Sequence, residues 1–438
     1  MDTICALSSG APPSGVAVIR ISGDLARNCV EKMTGPVGEP RKARLRTIRD
    51  PDTGDALDEG LVLWLPGPAS FTGEDCAEFQ CHGSRAVIQA ILAALTKQDN
   101  VRLAEPGEFS RRAFDNGRLD LTELEGLADL IHAETQAQRR QALVLAQGHM
   151  RRDLDAWRRR LIDFRADIEA RLDFSDEDDV SVDLPAGFFA AVEKLRDEIG
   201  AAVETFGIAE RVRDGLRVAI MGAPNAGKST LLNRIAKRDV AIVTEEAGTT
   251  RDVLEVPLDL DGYPVVLFDT AGLRETDNIV EQEGIRRARQ TAGQSDLVLW
   301  LRDLSDMDEP AVEEIDSVPV WTVWTKSDLV SVSHAEGGEL RISAKTGDGL
   351  DDLLGRLRVA ASERMTSDAA WLVTRNRQAD ALRSVLSNLG SAIADPSRPM
   401  EMIAEDLRSA ADGIGRVTGR IDVEDVLDRL FGEFCIGK

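Results

Sequence analysis

The stretch Leu216-Arg217-Val218-Ala219-Ile220-Met221 runs directly into Gly222-Ala223-Pro224-Asn225-Ala226-Gly227-Lys228-Ser229-Thr230. The first six residues have the pattern of a buried strand. The next nine fit G-x-x-x-x-G-K-[ST], and a helix is expected after them. Glycines in such a loop let main-chain N–H groups turn inward around phosphates, at a helix N-terminus whose dipole favours anions. Lys228 is then expected to reach the β- and γ-phosphates, and Ser229 to ligate Mg²⁺.

Four further elements follow in order. In Thr244-Glu245-Glu246-Ala247-Gly248-Thr249-Thr250, Thr250 is the candidate second Mg²⁺ ligand and γ-phosphate sensor. Asp269-Thr270-Ala271-Gly272 closes the strand Val265–Phe268, its aspartate facing the Mg²⁺ shell and its glycine N–H the γ-phosphate. Thr325-Lys326-Ser327-Asp328 closes the strand Val318–Trp324, and Asp328 can accept from guanine N1–H and the 2-amino group. Ser343-Ala344-Lys345 would back the base. Adenine has no 2-amino group, so the carboxylate selects GTP over ATP as substrate. The ordered set resembles the translation-factor-related GTPases. Thr325 stands where such motifs usually have Asn, and its shorter side chain is expected to weaken guanine affinity.

Relatives of this kind often place a water-orienting glutamine directly after Asp-x-x-Gly, but here the residue is Leu273. Glu281, in Ile279-Val280-Glu281-Gln282-Glu283-Gly284, is the candidate to orient water or take its proton. The competing reading of Glu281 is a surface carboxylate on an acidic helix. Asn225 could hold a monovalent cation beside the phosphates, or merely bond its own turn.

The region around this module is of two kinds. From Leu216 to about Ala360, strands alternate with helices as in a doubly wound, mainly parallel sheet. On either side the pattern is helical, nearly unbroken from Leu121 to Leu172 and again over Arg377–Leu389, Glu401–Asp412 and Val423–Phe431. A capping box is expected at Thr122 and Glu125. The arginines between Arg139 and Arg160 are interleaved with acids and read as a solvated face. Ser175-Asp176-Glu177-Asp178-Asp179 lacks the spacing of an EF-hand and reads as a connector. The first ~115 residues form an α/β or α+β domain, with strands at Val16–Ile21 and Leu61–Leu65 and a single helix at Ala86–Leu95. The fold class is therefore multidomain α/β plus all-α, with a P-loop GTPase domain inserted into a helical domain.

The chain has 438 residues, and its 53 Lys and Arg against 77 Asp and Glu give a net charge of −24. That balance excludes a free-standing nucleic-acid clamp, which needs basic surface to displace counterions. Any RNA role would rest on a local patch or a basic partner. No apolar run reaches the ~18–20 residues of a membrane span, and the N-terminus lacks a signal-peptide pattern. Five cysteines without paired spacing favour free thiols in a reducing, cytoplasmic compartment.

The order of motifs is similar to that of the MnmE (TrmE) family of tRNA-modification GTPases, over essentially the whole chain. Its marks are Asp2-Thr3-Ile4, Arg20-Ile21-Ser22-Gly23, Ser70-Phe71-Thr72-Gly73-Glu74-Asp75, Ala104-Glu105-Pro106-Gly107-Glu108-Phe109, Asn116-Gly117-Arg118-Leu119-Asp120-Leu121 and Phe434-Cys435-Ile436-Gly437-Lys438. The resemblance implies an FAD-dependent MnmG-type partner, with which the protein installs a carboxymethylaminomethyl-type group on C5 of the wobble uridine of certain tRNAs. It implies a homodimer, and 5-formyltetrahydrofolate held by Arg20, Glu78, Arg118 and Lys438. Position 118 is usually lysine, so Arg118 keeps the charge with a different geometry. It implies K⁺ held by Asn225 with Thr244, Glu246 and Thr249, and a role for Glu281 in aiding the attacking water. The domains expected are residues 1–116 (folate binding and dimerisation), 117–213 (helical, first part), 214–364 (GTPase) and 365–438 (helical, second part). Cys435 mimics a lipidation box, but the terminal lysine fits that signal badly. The C-terminal motif of the family, which approaches the folate pocket, fits better. The alternative function is a ribosome-assembly GTPase, which should carry a basic appended RNA module.

Overall fold

The computed structural model describes residues 2–173, 184–242, 255–269, 293–306, 318–330, 340–366, 372–421, 424–434 and Gly437. It divides into two compact units. One comprises Met1–Ala128, Ala146–Ala166 and Leu407–Lys438, and the other Asp129–Leu145 and Asp167–Asp406.

The first unit is built on a six-stranded sheet of β1 (Thr3–Leu7), β2 (Ser14–Ser22), β3 (Arg44–Arg49), β4 (Ala56–Leu65), β5 (Cys76–Gly83) and β6 (Val101–Leu103). The strand order is β3-β4-β5-β2-β1-β6, antiparallel except between β1 and β6. Alternation along the strands sends Ile19, Ile21, Phe79 and Trp64 to one face, where they bury with Ile91 and Leu95 of α2 (Arg85–Thr96). On the other face, Ile4 and Ala6 pack with Phe109 of α3 (Glu108–Asp115) and with Phe71. Towards β3 and β4 that same face leaves apolar side chains in solvent, Leu45 at 60% and Leu61 at 38% exposure, directly paired across the strands.

Among residues 2–116 the structure has three helices, not one. The first missed is α1 (Ala26–Thr34), whose buried stripe is Ala26, Cys29, Val30 and Met33. The second is α3, which buries Ser110 and Arg112 along with Phe109 and Ala113. Neither stripe is made of the branched aliphatics that announce a helix.

The expected long helix is broken into α4 (Leu121–His132), α5 (Gln136–Ala146) and α6 (His149–Asp173). Its cap also differs from expectation. The Asp120 carboxylate accepts from Glu123 N–H at 2.9 Å, and Glu123 accepts in return from Asp120 N–H at 2.8 Å. This reciprocal box sits two residues before the expected pair. Thr122 donates to the same Asp120 oxygen, and Glu125 is buried. The acidic stretch 175–179 lies outside the described residues.

The second unit carries a six-stranded sheet of β7 (Leu216–Gly222), β8 (Glu255–Leu260), β9 (Tyr263–Asp269), β10 (Leu297–Asp303), β11 (Val320–Thr325) and β12 (Leu340–Arg341). Its order is β12-β11-β10-β7-β9-β8, all parallel save the edge strand β8. The near-continuous apolar strands bury against α9 (Lys228–Ile235) and α10 (Leu350–Met365). The chain leaves β7 for β9 on one side and reaches β10 on the other. This reversal opens a crevice at the carboxyl ends of the strands. In the helical part of this unit, α7 (Phe188–Glu204) is followed by α8 (Phe206–Asp214) and packs on α11 (Asn376–Ala394). The C-terminal helices are α12 (Met400–Thr418) and α13 (Glu424–Glu433), and α13, itself part of the first unit, packs there on α3. Among the described residues no helix is long and apolar enough to cross a membrane.

Candidate functional site

The phosphate loop spans the end of β7 and the start of α9. Gly222 has φ +145°, and a Cβ there would lie 2.4 Å from the Leu301 carbonyl, so only glycine lets β7 turn this close to β10. Asn225, at φ 66°, also lies in the left-handed region and is exposed. Lys228 Nζ donates to the carbonyls of Gly222 at 2.7 Å and Ala223 at 2.8 Å. The ammonium is thus held over the loop that its motif uses for phosphate. Ser229 Oγ donates to Asp269 Oδ2 at 3.2 Å. Two oxygen donors from the starts and ends of different elements meet there, a set that suits a hard cation such as Mg²⁺. Thr230 follows in the exposed first turn of α9.

The base-reading segment sits at the end of β11. Thr325 is buried, and its Oγ1 donates to the Ala226 carbonyl at 2.8 Å and lies 3.1 Å from the Arg302 carbonyl. The shorter side chain therefore has a specific task, tying this segment to the phosphate loop beside Gly227. Lys326 adopts φ 58° and its Nζ bonds Asp303 at the end of β10. Burial pushes the Asp303 carboxyl up, but the Lys326 ammonium and Ser305 outweigh it and hold the group below the usual carboxylate range. Ser327 begins a short 3₁₀ turn, through Leu329. Asp328 is exposed, and its Oδ1 accepts from the buried Ser343 Oγ at 2.7 Å. Ser343 thereby holds one carboxylate oxygen of Asp328 and leaves Oδ2 to other partners. Ala344 is half-buried against the core and Lys345 is exposed.

The structure thus brings together Asn225 to Thr230, Asp269, Thr325 to Asp328 and Ser343 to Lys345 at one end of the sheet. Thr244 to Thr250, Thr270 to Gly272 and Glu281 lie outside the described residues. Sequence reasoning missed Asp303, although a carboxylate closing the apolar run of β10 was visible as a signal.

In the first unit, Arg20 on β2 and Glu78 on β5 are register partners on one sheet face, with Nε donating to Oε1 at 3.0 Å. The Arg20 guanidinium lies 5.0 Å from the Phe71 ring and 5.7 Å from the Phe109 ring. Arg118 is exposed, its stem against Gly73 in the same loop as Phe71. The chain's end returns to this sheet, with Ser8 Oγ donating to the Gly437 carbonyl at 2.7 Å. Gly437 has φ +106°, and a Cβ on it would overlap the Leu7 carbonyl at 2.0 Å. Lys438 and Cys435 lie outside the described residues. The half-buried cation and carboxylate, flanked by an aromatic ring, could meet a ligand that carries both an anionic group and an amino edge.

Phosphate loop, adjacent cation donors and an exposed aspartate held by a serine, all at the switch point of a mainly parallel sheet, define a P-loop nucleotide-binding protein. Two family models match in succession, "GTP-binding protein TrmE N-terminus" over residues 3–118 and "MnmE helical domain" over residues 121–435. Relatives named "tRNA modification GTPase MnmE" include those of Sinorhizobium medicae, 51% identical over 100% of this chain and 99% of its own length, and Rhodopseudomonas palustris, 49% identical over 100% and 99%. That of Brucella anthropi is 50% identical over 100% and 98%. The chain belongs to the MnmE family of tRNA modification GTPases.

Proposed function

We propose that the protein hydrolyses GTP as a component of a tRNA-modifying complex. That complex adds a carboxymethylaminomethyl-type group to C5 of the wobble uridine of certain tRNAs. The observation that carries this reading is the convergence of Lys228, Ser229, Asp269, Thr325 and Asp328 at the carboxyl ends of β7, β9 and β11. The loop N–H groups and Lys228 bind the phosphates, and Asp328, oriented by Ser343, reads the guanine. Ser229, Thr250 and Asp269 would hold Mg²⁺, which neutralises charge on the β- and γ-phosphate oxygens.

Leu273 cannot orient water, so Glu281 takes that role in this reading. Asn225, with Thr244, Glu246 and Thr249, would hold K⁺, a fixed positive charge where an arginine finger acts elsewhere. Pairing of two nucleotide domains would order that loop and drive the conformational cycle. The domain limits proposed are 1–116, 117–213, 214–364 and 365–438. The first would bind 5-formyltetrahydrofolate through Arg20, Glu78, Arg118 and Lys438 and make the homodimer. Its exposed Leu45, Leu61 and Val16 support that surface, because apolar groups left in water favour burial against a second copy. An FAD-dependent MnmG-type partner would carry much of the tRNA contact, a division of labour that suits the net charge of −24. The proposed location is the cytoplasm.

The test is GTP turnover in matched K⁺ and Na⁺ buffers, for wild type and Asn225→Ala. A large K⁺ stimulation that vanishes in the variant is expected. Equal turnover in both salts rules out the K⁺ mechanism.

A further inference from the structure

A buried ionic cluster is joined to the Arg20–Glu78 pair through the loop that carries Phe71 and Glu74. Arg112, 8% exposed, donates to Glu74 at 3.1 and 3.2 Å, to the Asp2 carboxylate at 2.8 Å and main-chain carbonyl at 2.9 Å, and to Glu108 at 3.0 Å. A guanidinium buried to this degree is retained only when its donors are met by such acceptors. Glu74 is also bonded by Ser22 Oγ at 2.6 Å. Its own loop is pinned on every side. Ser70 Oγ donates to the Glu74 carbonyl, Glu74 N–H to Thr72 Oγ1, and Asn116 Nδ2 to the Thr72 carbonyl. Between these anchors stands Phe71, whose ring faces the Arg20 guanidinium. Arg20 is thus set between a carboxylate bonded to its Nε and an aromatic face, with its terminal nitrogens left to meet an anion.

We propose that Glu74 and Arg112 are positioning residues: their ion pair fixes the Ser70–Asp75 loop, so that Phe71 aims the Arg20 guanidinium at the anionic end of a bound folate. This rests on the folate reading given above. Neither Glu74 nor Arg112 touches the ligand in this scheme. A merely structural ion pair would affect stability and leave the orientation of Arg20 unchanged.

Two readouts on the full-length protein test the proposal: calorimetric binding of 5-formyltetrahydrofolate, and NMR hydrogen exchange of the Arg20 Nε–H. Glu74→Gln and Phe71→Leu should each weaken folate binding about tenfold and speed the exchange by a similar factor. Phe71→Tyr, which keeps the ring, should bind like wild type. The double variant should lose no more than either single one, because both act through Arg20. A native-like amide spectrum of the first unit, which carries both residues, serves as the folding control, and Phe71→Leu decides the matter if Glu74→Gln does not fold. Unchanged affinity and exchange in folded variants overturns the proposal, as does a hundredfold, multiplicative loss in the double variant. If wild type fails to bind the folate, that reading falls. The exchange of Arg20 Nε–H then still decides whether Glu74 and Phe71 position it.

Discussion

Thr325 Oγ1 donates to the main-chain carbonyl of Ala226 at 2.8 Å, so one hydroxyl joins the segment proposed to read the base to the loop proposed to hold the phosphates. Thr325→Val keeps the shape and removes the donor, leaving the Ala226 carbonyl buried without it. A lost buried hydrogen bond costs about 1–1.5 kcal/mol, or roughly tenfold in affinity. Titration with a fluorescent guanine nucleotide should show that loss for GDP and GTP alike. Unchanged affinity would mean that the tie is dispensable.

Asp328 is held by Ser343 with one oxygen, and in the proposed function its carboxylate reads the guanine. Asp328→Asn exchanges an acceptor for a donor, which opposes the 2-amino group of guanine and suits the 2-carbonyl of xanthine. Two charge-assisted bonds at about 1.5 kcal/mol each imply a loss in GTP affinity on the order of a hundredfold. Competition between GTP and XTP should reverse its preference in the variant. Retained GTP preference would place the base elsewhere.

These two residues also mark how far the sequence could be read. The strand, loop and helix around Gly222 to Lys228 follow from local pattern, because the motif and its flanking elements are contiguous. The partner of Thr325 does not, since Ala226 lies 99 residues away and meets it only when β11 and β7 share a sheet. Helix α3 was hidden for a related reason. Its buried Arg112 reads as a surface charge until Asp2 and Glu74, remote in sequence, are folded around it. The cap of α4 was ambiguous for a different one. Asp120 with Glu123 and Thr122 with Glu125 both have the spacing of a capping box, and packing buried the second pair.

Burial pushes the Cys5 thiol up to about 12, with nearby Cys29 adding to it, and the Cys81 thiol up to about 11, with Asp58 adding to it. Thiolate is the reactive form, and at neutral pH almost none is present on either residue. Mass spectrometry after alkylation of the native protein should find both unmodified, with labelling only after denaturation. Rapid native labelling of Cys5 would contradict its burial in the sheet core.

The cluster around Arg112 makes the first unit acid-sensitive. The Arg102 guanidinium holds the Asp2 carboxyl below its ordinary value. Glu108 is also held low, because Arg102, the Glu105 N–H and Arg112 outweigh the upward push of burial. Carboxyls lowered on folding stabilise the fold above their unfolded values near 4, and that stability is lost as pH falls through the folded values. Denaturation scans from pH 6 to pH 3 should show stability falling with pH in wild type. Glu108→Gln should start less stable and have a shallower slope. An identical slope would remove Glu108 from the acid transition.

The most direct test of the central claim is the modified-nucleoside content of tRNA from the protein's own host after deletion of its gene. Mass spectrometry of the digested tRNA follows complementation with wild type, Lys228→Ala or Asp328→Asn. The account predicts that the C5-modified wobble uridine disappears on deletion, returns with wild type and stays absent with either variant. Its persistence after deletion, or its full return with Lys228→Ala, would contradict a GTPase that drives this modification.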